Sequence, residues 1–382
     1  MRFLPFNKPF IVGHELENIK KAVEDGHLSG DGSFSRRCQL WLETTLGTEK
    51  ALLTHSCTAA LEMAALLCDI KPGDEVIMPS YTFVSTANAF VLRGGVPVFV
   101  DIEPHTLNID HTRIGGAITD RTRAIVPVHY AGHACAMDEI MTIARDNGLY
   151  VIEDAAQALL ARYKGKALGT IGHLGTLSFH ETKNIISGEG GALLVNDPDF
   201  IDRAEIFREK GTNRNRFFRG EVDKYTWVDM GSSFLPSELT AAFLWSQFEC
   251  AREITRKRHA LYCRYRERLT PLAKMGKIIL HSHETNPSES GNNGHLFYII
   301  TRSFEERTGL IQYLEDRQIK AVFHYIPLHS SPAGKKFTRT AGSMIHTDVL
   351  SRRVLRLPLF HEMEYPDVDG VCDHVVAYYS GR

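Results

Sequence analysis

The sequence lacks the features that mark several large classes of protein. Its seven cysteines include no Cys-x-x-Cys pair, so neither a zinc ribbon nor a dithiol redox motif is indicated. No run approaches the ~20 apolar residues of a membrane-spanning helix, and the first residues lack the apolar stretch of a secretory signal. With 44 basic and 46 acidic side chains there is no basic surplus for nucleic acid. We therefore expect a cytoplasmic protein without metal, nucleic-acid or membrane sites.

A chain of 382 residues is too long for one ordinary core. We predict a large domain at residues 1–250 and a smaller C-terminal α/β domain at residues 251–382. In the first, continuous apolar runs alternate with amphipathic stretches, which is typical of strands covered by helices on both faces. The pattern predicts an α/β fold with a mostly parallel sheet of about seven strands. The predicted strands are Ala51–Thr54, Glu75–Met78, Val96–Asp101, Ala124–His129, Leu149–Glu153, Thr176–Phe179 and Ala192–Val195.

Helices are predicted between these strands, and the C-terminal part has its own pattern. Three helices of the large domain are predicted at Thr58–Cys68, Ser85–Arg93 and Met137–Asn147. Residues 212–227 are polar, basic and aromatic, and a long loop is predicted there. The remaining predictions are a long helix at Ser237–Leu269, a surface connection at Ser282–Gly294, strands at Leu296–Ile300 and Ala321–Ile326, and a helix at Glu305–Asp316.

Residues that can carry chemistry follow the predicted strands, where open α/β sheets bind ligands. Ser56-Cys-Thr58 opens a helix, and its N–H groups and hydroxyls would bind an anion unless they only cap that helix. Asp154 ends a strand, where it would pair with a pyridinium nitrogen or cap the next helix. Lys183 can form an imine with an aldehyde, although a lone lysine is usually a solvated side chain.

The order of these residues along the chain indicates a cofactor. Pyridoxal phosphate (PLP) needs an imine-forming lysine, an acid at its pyridine nitrogen and a pocket for its phosphate. The chain offers a hydroxyl-rich turn, then Asp154, then Lys183. Ser178 would add a phosphate contact, and Phe83 would stack on a flat ring unless it is a core aromatic. The conjunction predicts a PLP site.

At this point the sequence resembles a known family over nearly its whole length. It is similar to the DegT/StrS nucleotide-sugar aminotransferases, a branch of the fold-type I, aspartate-aminotransferase-like PLP enzymes. The resemblance includes the loop Asp25–Gly32 and the C-terminal run His324–His329. The motifs that carry it are Ser56–Leu61, Pro79–Asn88, Glu153–Ala158 and Ser178–Asn184.

The resemblance implies a role for each matching residue. Lys183 would be the Schiff-base lysine, Asp154 would contact the pyridine nitrogen, Gln157 would lie on the ring-hydroxyl side, and Phe83 would stack on the ring. The phosphate would be held by Thr58, the N–H of Ala59 and Ser178, beside Cys57, which stands where the family often has Gly.

One position bears on assembly. Ser233 stands where the family often has an Asn that reaches the neighbouring subunit's cofactor phosphate. The resemblance therefore implies a homodimer or higher oligomer with shared active sites, although that particular contact is altered. Four cations of the predicted loop would bind the sugar-nucleotide diphosphate, or else are simply solvated: Arg214, Arg216, Arg219 and Lys224. Residues on the sugar side, unless the histidines are satisfied core side chains, would be His324, Tyr325 and His329.

The runs His180–Lys183 and Arg208–Asn213 are most similar to one subgroup, which aminates dTDP-4-dehydro-6-deoxyglucose in enterobacterial common antigen synthesis. The expected reaction moves the amino group of L-glutamate to C4 of that sugar. The alternatives are a 3-aminotransferase, a 4-aminotransferase of the other epimer, and a non-catalytic regulator on the same fold. A sugar dehydratase using pyridoxamine phosphate is disfavoured, because relatives of that kind replace the lysine with histidine.

Overall fold

The structure is a computed structural model that describes residues 3–281 and 291–380. Its α-helices are α1 (Glu15–Glu24), α2 (Ser33–Leu46), α3 (Cys57–Leu67), α4 (Val84–Val91), α5 (Met137–Asp146), α6 (Ile201–Arg208), α7 (Arg214–Phe218), α8 (Glu238–Glu249), α9 (Ala251–Lys274), α10 (Phe304–Glu315), α11 (Pro332–Phe337), α12 (Ile345–Ser351) and α13 (Tyr365–Ser380). Short 3-10 helices lie at His111–Arg113, Gly115–Ala117, Tyr130–Gly132, Pro198–Phe200 and Leu328–Ser330.

The strands form one large sheet and two small ones. They are β1 (Lys50–Thr54), β2 (Glu75–Pro79), β3 (Val96–Val100), β4 (Thr122–Ile125), β5 (Tyr150–Asp154), β6 (Arg162–Tyr163), β7 (Lys166–Ala167), β8 (Leu174–Ser178), β9 (Gly191–Val195), β10 (Phe297–Ile300), β11 (Arg339–Thr340) and β12 (Val354–Leu357). The large sheet has eight strands in the order β1-β9-β8-β5-β4-β2-β3-β11. β9 runs antiparallel to both neighbours, and the pairs from β8 to β11 are parallel.

The α/β prediction is confirmed, and all seven predicted strands are present in the large sheet. Their apolar runs were informative because the strands are buried: every residue of β2 and β8 is buried. The eighth strand, β11, comes from the C-terminal third of the chain and pairs with β3. Its two polar residues gave no strand signal, so the sequence could not predict it.

Three predictions need correction. The long loop predicted at residues 212–227 contains the short helix α7 (Arg214–Phe218). Ala321–Ile326 is not a strand, because its only ladder contact is an isolated bridge between Val322 and Arg356. The helix predicted at Ser237–Leu269 is present, with a break at Cys250 that divides it into α8 and α9. Of the predicted surface connection, residues 282–290 lie outside the described residues, whereas Asn293 is only 2% exposed and belongs to the interior.

The C-terminal elements build a core of their own. Apolar side chains of α9, α10, α13, β10 and β12 pack together there, among them Tyr265, Leu310, Leu355 and Val371. The predicted boundary after residue 250 falls at the break between α8 and α9. Contacts also cross this boundary, since Ala251 and Ile254 pack in the large-sheet core. We retain the division into residues 1–250 and 251–382 as a proposal.

Candidate active site

A cavity of about 550 Å³ opens where both parts of the chain meet at the carboxyl ends of β5 and β8. Its floor comes from the ends of these strands and from the N-termini of α3 and α4. The C-terminal part adds a wall from the segment before β10, the extended segment 321–326, and β12. The predicted site residues that line it are Cys57, Thr58, Phe83, Asp154, Gln157, Ser178, Lys183, His324 and Tyr325.

The turn that opens α3 has the chemistry of an anion site. Ser56 caps the helix, because its Oγ accepts the N–H of Ala59 at 3.0 Å. The hydroxyls of Thr58 and Ser85 lie 2.8 Å apart and both face the cavity. Hydroxyls at a helix N-terminus favour a bound phosphate. Ser85, which the sequence analysis missed, therefore joins the candidate phosphate contacts, whereas the Ala59 N–H already has a partner.

Gly191, the first residue of β9, allows the backbone of this turn to pack directly against the sheet. A Cβ at Gly191 would overlap the backbone N of Cys57 and would lie 2.6 Å from Ser56 O. Glycine is therefore required here for space, because the strand and the turn approach closely. Burial raises the pKa of the Cys57 thiol to about 12, so this side chain stays neutral beside the anion turn.

Asp154 is a buried carboxylate that faces the cavity with few partners of its own. It is 5% exposed, and its Oδ2 accepts the Thr86 hydroxyl at 2.7 Å while Oδ1 accepts the Ala156 N–H at 3.2 Å. No ion pair to Asp154 is found in the described residues. A buried carboxylate without a cation is costly unless a ligand supplies one, and a protonated pyridine nitrogen meets that requirement.

Lys183 lies in the loop between β8 and β9 and lines the same cavity. Within residues 3–281 and 291–380, no hydrogen bond or ion pair is formed by its Nζ. Burial lowers the pKa of this amine, and the negative charge of Asp154 opposes that shift. A desolvated amine of this kind is unprotonated more often than a solvated lysine, so its lone pair is more available to act as nucleophile or base.

Aromatic and amide groups complete the side of the cavity near Asp154. Phe83 is 56% exposed at the start of α4, with its ring 6.3 Å from that of Tyr325. An aromatic face left open inside a cavity suits a flat ring ligand. The Gln157 amide accepts the Ala131 N–H at 2.7 Å and donates to the Tyr325 hydroxyl at 2.9 Å. Burial raises the pKa of Tyr325, so its O–H remains available as a donor.

Two further residues of the cavity wall were not predicted. Arg356 on β12 donates from Nε and Nη2 to Phe323 O, at 3.2 and 2.8 Å, and it has no carboxylate partner in the described chain. His295 precedes β10 and bonds to Asn184. Both approach Lys183 only through the fold, more than a hundred positions along the chain, so no local pattern could reveal them.

Several predicted residues lie away from this cavity. Ser233 is exposed and pairs through its backbone with Glu209. His329 is held by Ser80 and Asp348 outside the cavity, as expected for a satisfied histidine. The loop arginines form ion pairs within the chain, Arg214 with Glu209, Arg216 with Asp202, and Arg219 with both Glu205 and Glu221, whereas Lys224 is exposed.

PLP fits these residues. Its aldehyde, its ring nitrogen and its phosphate have matching partners in Lys183, Asp154 and the hydroxyls at the start of α3. The described residues contain no group of three or more His, Cys, Asp or Glu side chains placed to hold a metal ion. Nor do they include a helix long and apolar enough to cross a membrane.

Comparisons with known proteins agree with the fold and the cavity. The sequence model of the DegT/DnrJ/EryC1/StrS aminotransferase family matches residues 9–376. The chain is 32% identical to the spore coat polysaccharide biosynthesis protein SpsC of Bacillus subtilis, over 98% of this chain and 96% of that protein. It is 29% identical to GDP-perosamine synthase of Escherichia coli O157:H7 over the whole of both chains. The crystal structure of DesV from S. venezuelae matches with a TM-score of 0.88, at 29% identity over 99% of each chain.

Fold and cavity together define a PLP-dependent aminotransferase. The chain belongs to the DegT/DnrJ/EryC1/StrS aminotransferase family and is a nucleotide-sugar aminotransferase. The predictions of enzyme class and cofactor are thereby confirmed, and a non-catalytic regulator is disfavoured.

Proposed function

We propose that this enzyme moves the amino group of L-glutamate to C4 of dTDP-4-dehydro-6-deoxy-D-glucose. The products would be dTDP-4-amino-4,6-dideoxy-D-galactose and 2-oxoglutarate, for the synthesis of a surface polysaccharide. The observation that carries the proposal is the convergence of Lys183, Asp154 and the anion turn on one cavity. Similarity to SpsC, a protein of spore coat polysaccharide biosynthesis, supports the polysaccharide context.

The cofactor would be held by residues with distinct tasks. Lys183 would carry it, Asp154 would keep its ring nitrogen protonated, and Phe83 would cover one face of the ring. Its phosphate would be bound by Thr58, Ser85 and Ser178 at the start of α3 and the end of β8. When bound, PLP supplies an electron sink for the carbanion that forms at the donor carbon.

Lys183 would act as the base that removes the α-proton of the donor. Burial lowers the pKa of its amine, which increases the fraction that carries a free lone pair, as general base catalysis requires. The two substrates occupy the site one after the other. In the second half of the reaction the same Nζ would therefore donate a proton to the sugar carbon that receives the amine.

Arg356 would receive the α-carboxylate of the amino-acid donor. Apart from Lys183, it is the only Lys or Arg among the described residues that line the cavity. Burial lowers the pKa of Arg356, and an anionic ligand would supply the counterion that it lacks in the described residues. The donor carboxylate is one bond from the reacting carbon, whereas a sugar diphosphate at C1 is remote from C4. Arg356, close enough to Lys183 to affect its pKa, suits the nearer anion.

A GDP-linked keto-sugar is the second candidate acceptor. It is favoured by 29% identity to GDP-perosamine synthase over both full lengths, which is close to the identity with the other relatives. Amination at C3, or with the other configuration at C4, would use the same cofactor residues. A substrate test must therefore compare the dTDP- and GDP-linked sugars and identify the carbon that receives the amine.

We also propose a homodimer in which the segment at residues 212–227, which includes α7, reaches the partner's site. The loop and its flank expose large apolar side chains, with Trp227 78% and Phe218 67% exposed, as expected for a covered surface. Arg214 and Arg219 would then exchange their pairing with Glu209 and Glu205 for the diphosphate of the nucleotide.

A cytoplasmic location completes the proposal. Each of the seven cysteines is a free thiol, which fits a reducing compartment. Localisation of a tagged full-length protein by fractionation tests this; recovery outside the cytoplasm with oxidised cysteines would contradict it.

The acceptor is tested by loading the enzyme with the glutamate amino group and then adding one keto-sugar nucleotide at a time. The proposal expects dTDP-4-dehydro-6-deoxyglucose to restore the original spectrum fastest, and NMR of the product to show an axial amine at C4. A faster reaction with the GDP-linked sugar would establish the second candidate, and an amine at C3 would overturn the assigned position.

A further inference from the structure

A buried cluster of amides surrounds the residue that follows Lys183. Asn293 donates from Nδ2 to Gln157 O and to Leu159 O, both at 2.9 Å, and its Oδ1 accepts the His295 N–H at 3.1 Å. The space is filled, since a Cβ at Gly132 would overlap Asn293 Oδ1. The segment before β10 is thus fixed against the turn after β5 that carries Gln157.

This cluster determines the orientation of the Asn184 side chain. Its Nδ2 donates to Asn293 O at 2.9 Å. A backbone carbonyl only accepts, so the nitrogen of the amide must lie on that side. The amide oxygen of Asn184 consequently faces His295, whose Nδ1 is 3.1 Å away.

The orientation of Asn184 in turn fixes the tautomer of His295. An amide oxygen only accepts, so Nδ1 of His295 carries the hydrogen. Burial, together with the charges of Lys183, Arg258 and Arg356, holds the pKa of His295 well below its usual range. The ring is therefore neutral at pH 7, and its lone pair is on Nε2. That nitrogen has no hydrogen-bond partner in residues 3–281 and 291–380, although His295 lines the cavity.

We propose that, when the Lys183 amine is freed during turnover, His295 Nε2 accepts a hydrogen bond from its Nζ, a bond that this structure does not contain, and so directs the lone pair of the amine at the proton it removes. His295 is then a positioning residue, and Asn184 and Asn293 fix its tautomer. The neighbouring His324 bonds to the Tyr130 hydroxyl at 2.7 Å and so has a separate partner. This inference rests on the proposed transamination, in which Lys183 is the base.

The first test is the tautomer itself, measured on the full chain before and after PLP is added. Nitrogen-15 NMR of the histidine rings, with His295 assigned from the His295→Asn spectrum, should show Nδ1 protonated and Nε2 unprotonated from pH 6 to 8. A hydrogen on Nε2, or a charged ring at pH 7, would overturn the inference. This result does not depend on whether the protein transaminates glutamate, so it separates failure of the inference from failure of the proposed function.

The second test compares two amide substitutions of His295, each of which places a polar group near one of the two ring nitrogens. His295→Asn places an amide near Nδ1 and removes the group facing Lys183, whereas His295→Gln places one near Nε2. We expect the Asn variant to transaminate about tenfold more slowly, as for the loss of one hydrogen bond in the transition state. Its KM for glutamate should stay within about twofold of wild type, and the isotope effect with α-deuterated glutamate should increase.

The Gln variant should recover most of this loss. His259→Asn, on α9 outside the cavity, is the matched control and should behave as wild type. An Asn variant with the wild-type rate and isotope effect, or one impaired only in KM, would contradict a positioning role for His295.

Discussion

Replacing Gly191 by alanine tests whether the anion turn depends on its close contact with β9. The added Cβ would overlap Cys57 N and lie 2.6 Å from Ser56 O, and both are backbone atoms that cannot rotate away. Overpacking of this kind costs about 1–3 kcal/mol. Because the strain falls on the turn that would hold the phosphate, we expect PLP affinity to fall about tenfold or more.

The matched control is Gly370→Ala in α13, where a new Cβ meets nothing within 4 Å. Alanine is about 1 kcal/mol more favourable than glycine inside a helix. Thermal unfolding without PLP should therefore lower the Tm of the Gly191 variant by about 1–4 °C and slightly raise that of the control. PLP affinity is measured by titration of the visible absorption band. A Gly191→Ala protein that binds PLP as tightly as wild type would refute this account of the turn.

Three further changes test the electrostatics of the structure. Burial lowers the pKa of Lys183, so between this lowered pKa and about 10.4 the unfolded chain binds more protons than the folded one. The unfolding free energy of the PLP-free protein should therefore rise with pH in that window. Denaturant titrations of Lys183→Met should lack this rise. Hydrogen bonding to Arg339 holds the pKa of Glu75 below its usual range. The ionised Glu75 carboxylate therefore stabilises the fold above about pH 4.3, and this stabilisation is lost as the pH falls. The unfolding free energy of Glu75→Gln should lack this part of the pH dependence. Thr86→Val removes a donor to buried Asp154 and should cost about 1–3 kcal/mol of unfolding free energy; an unchanged value would contradict that bond.

The large sheet was predictable because its strands are buried on both faces and read as uninterrupted apolar runs. The same logic failed at Ala321–Ile326, where an apolar stretch forms only one bridge and instead brings His324 and Tyr325 to the cavity. In this segment the apolar character reports neither a neighbouring strand nor burial, since Phe323 is 51% and Ile326 69% exposed. β11 shows the converse, since it pairs with β3 through the backbone and carries only polar side chains.

The residues of the candidate site were predictable where the sequence around each residue already indicates its chemical role. Asp154 at the end of β5 and Lys183 in the loop after β8 carry their own local signals, and both line the cavity. Arg356, His295 and Asn293 carry none, because each comes from the C-terminal part and is brought in by tertiary packing. Asn293 was even placed on the surface, since a polar run before β10 is typical of a loop.

The most direct test of the central claim is the absorption spectrum of the purified protein with PLP, before and after L-glutamate is added. We expect a visible band from the cofactor linked to Lys183, which L-glutamate should replace by a band at shorter wavelength as the amino group is transferred. Lys183→Ala should lack the visible band of a lysine-linked cofactor. A visible band that persists in Lys183→Ala, or one that glutamate leaves unchanged in the wild-type protein, would contradict the account of this site.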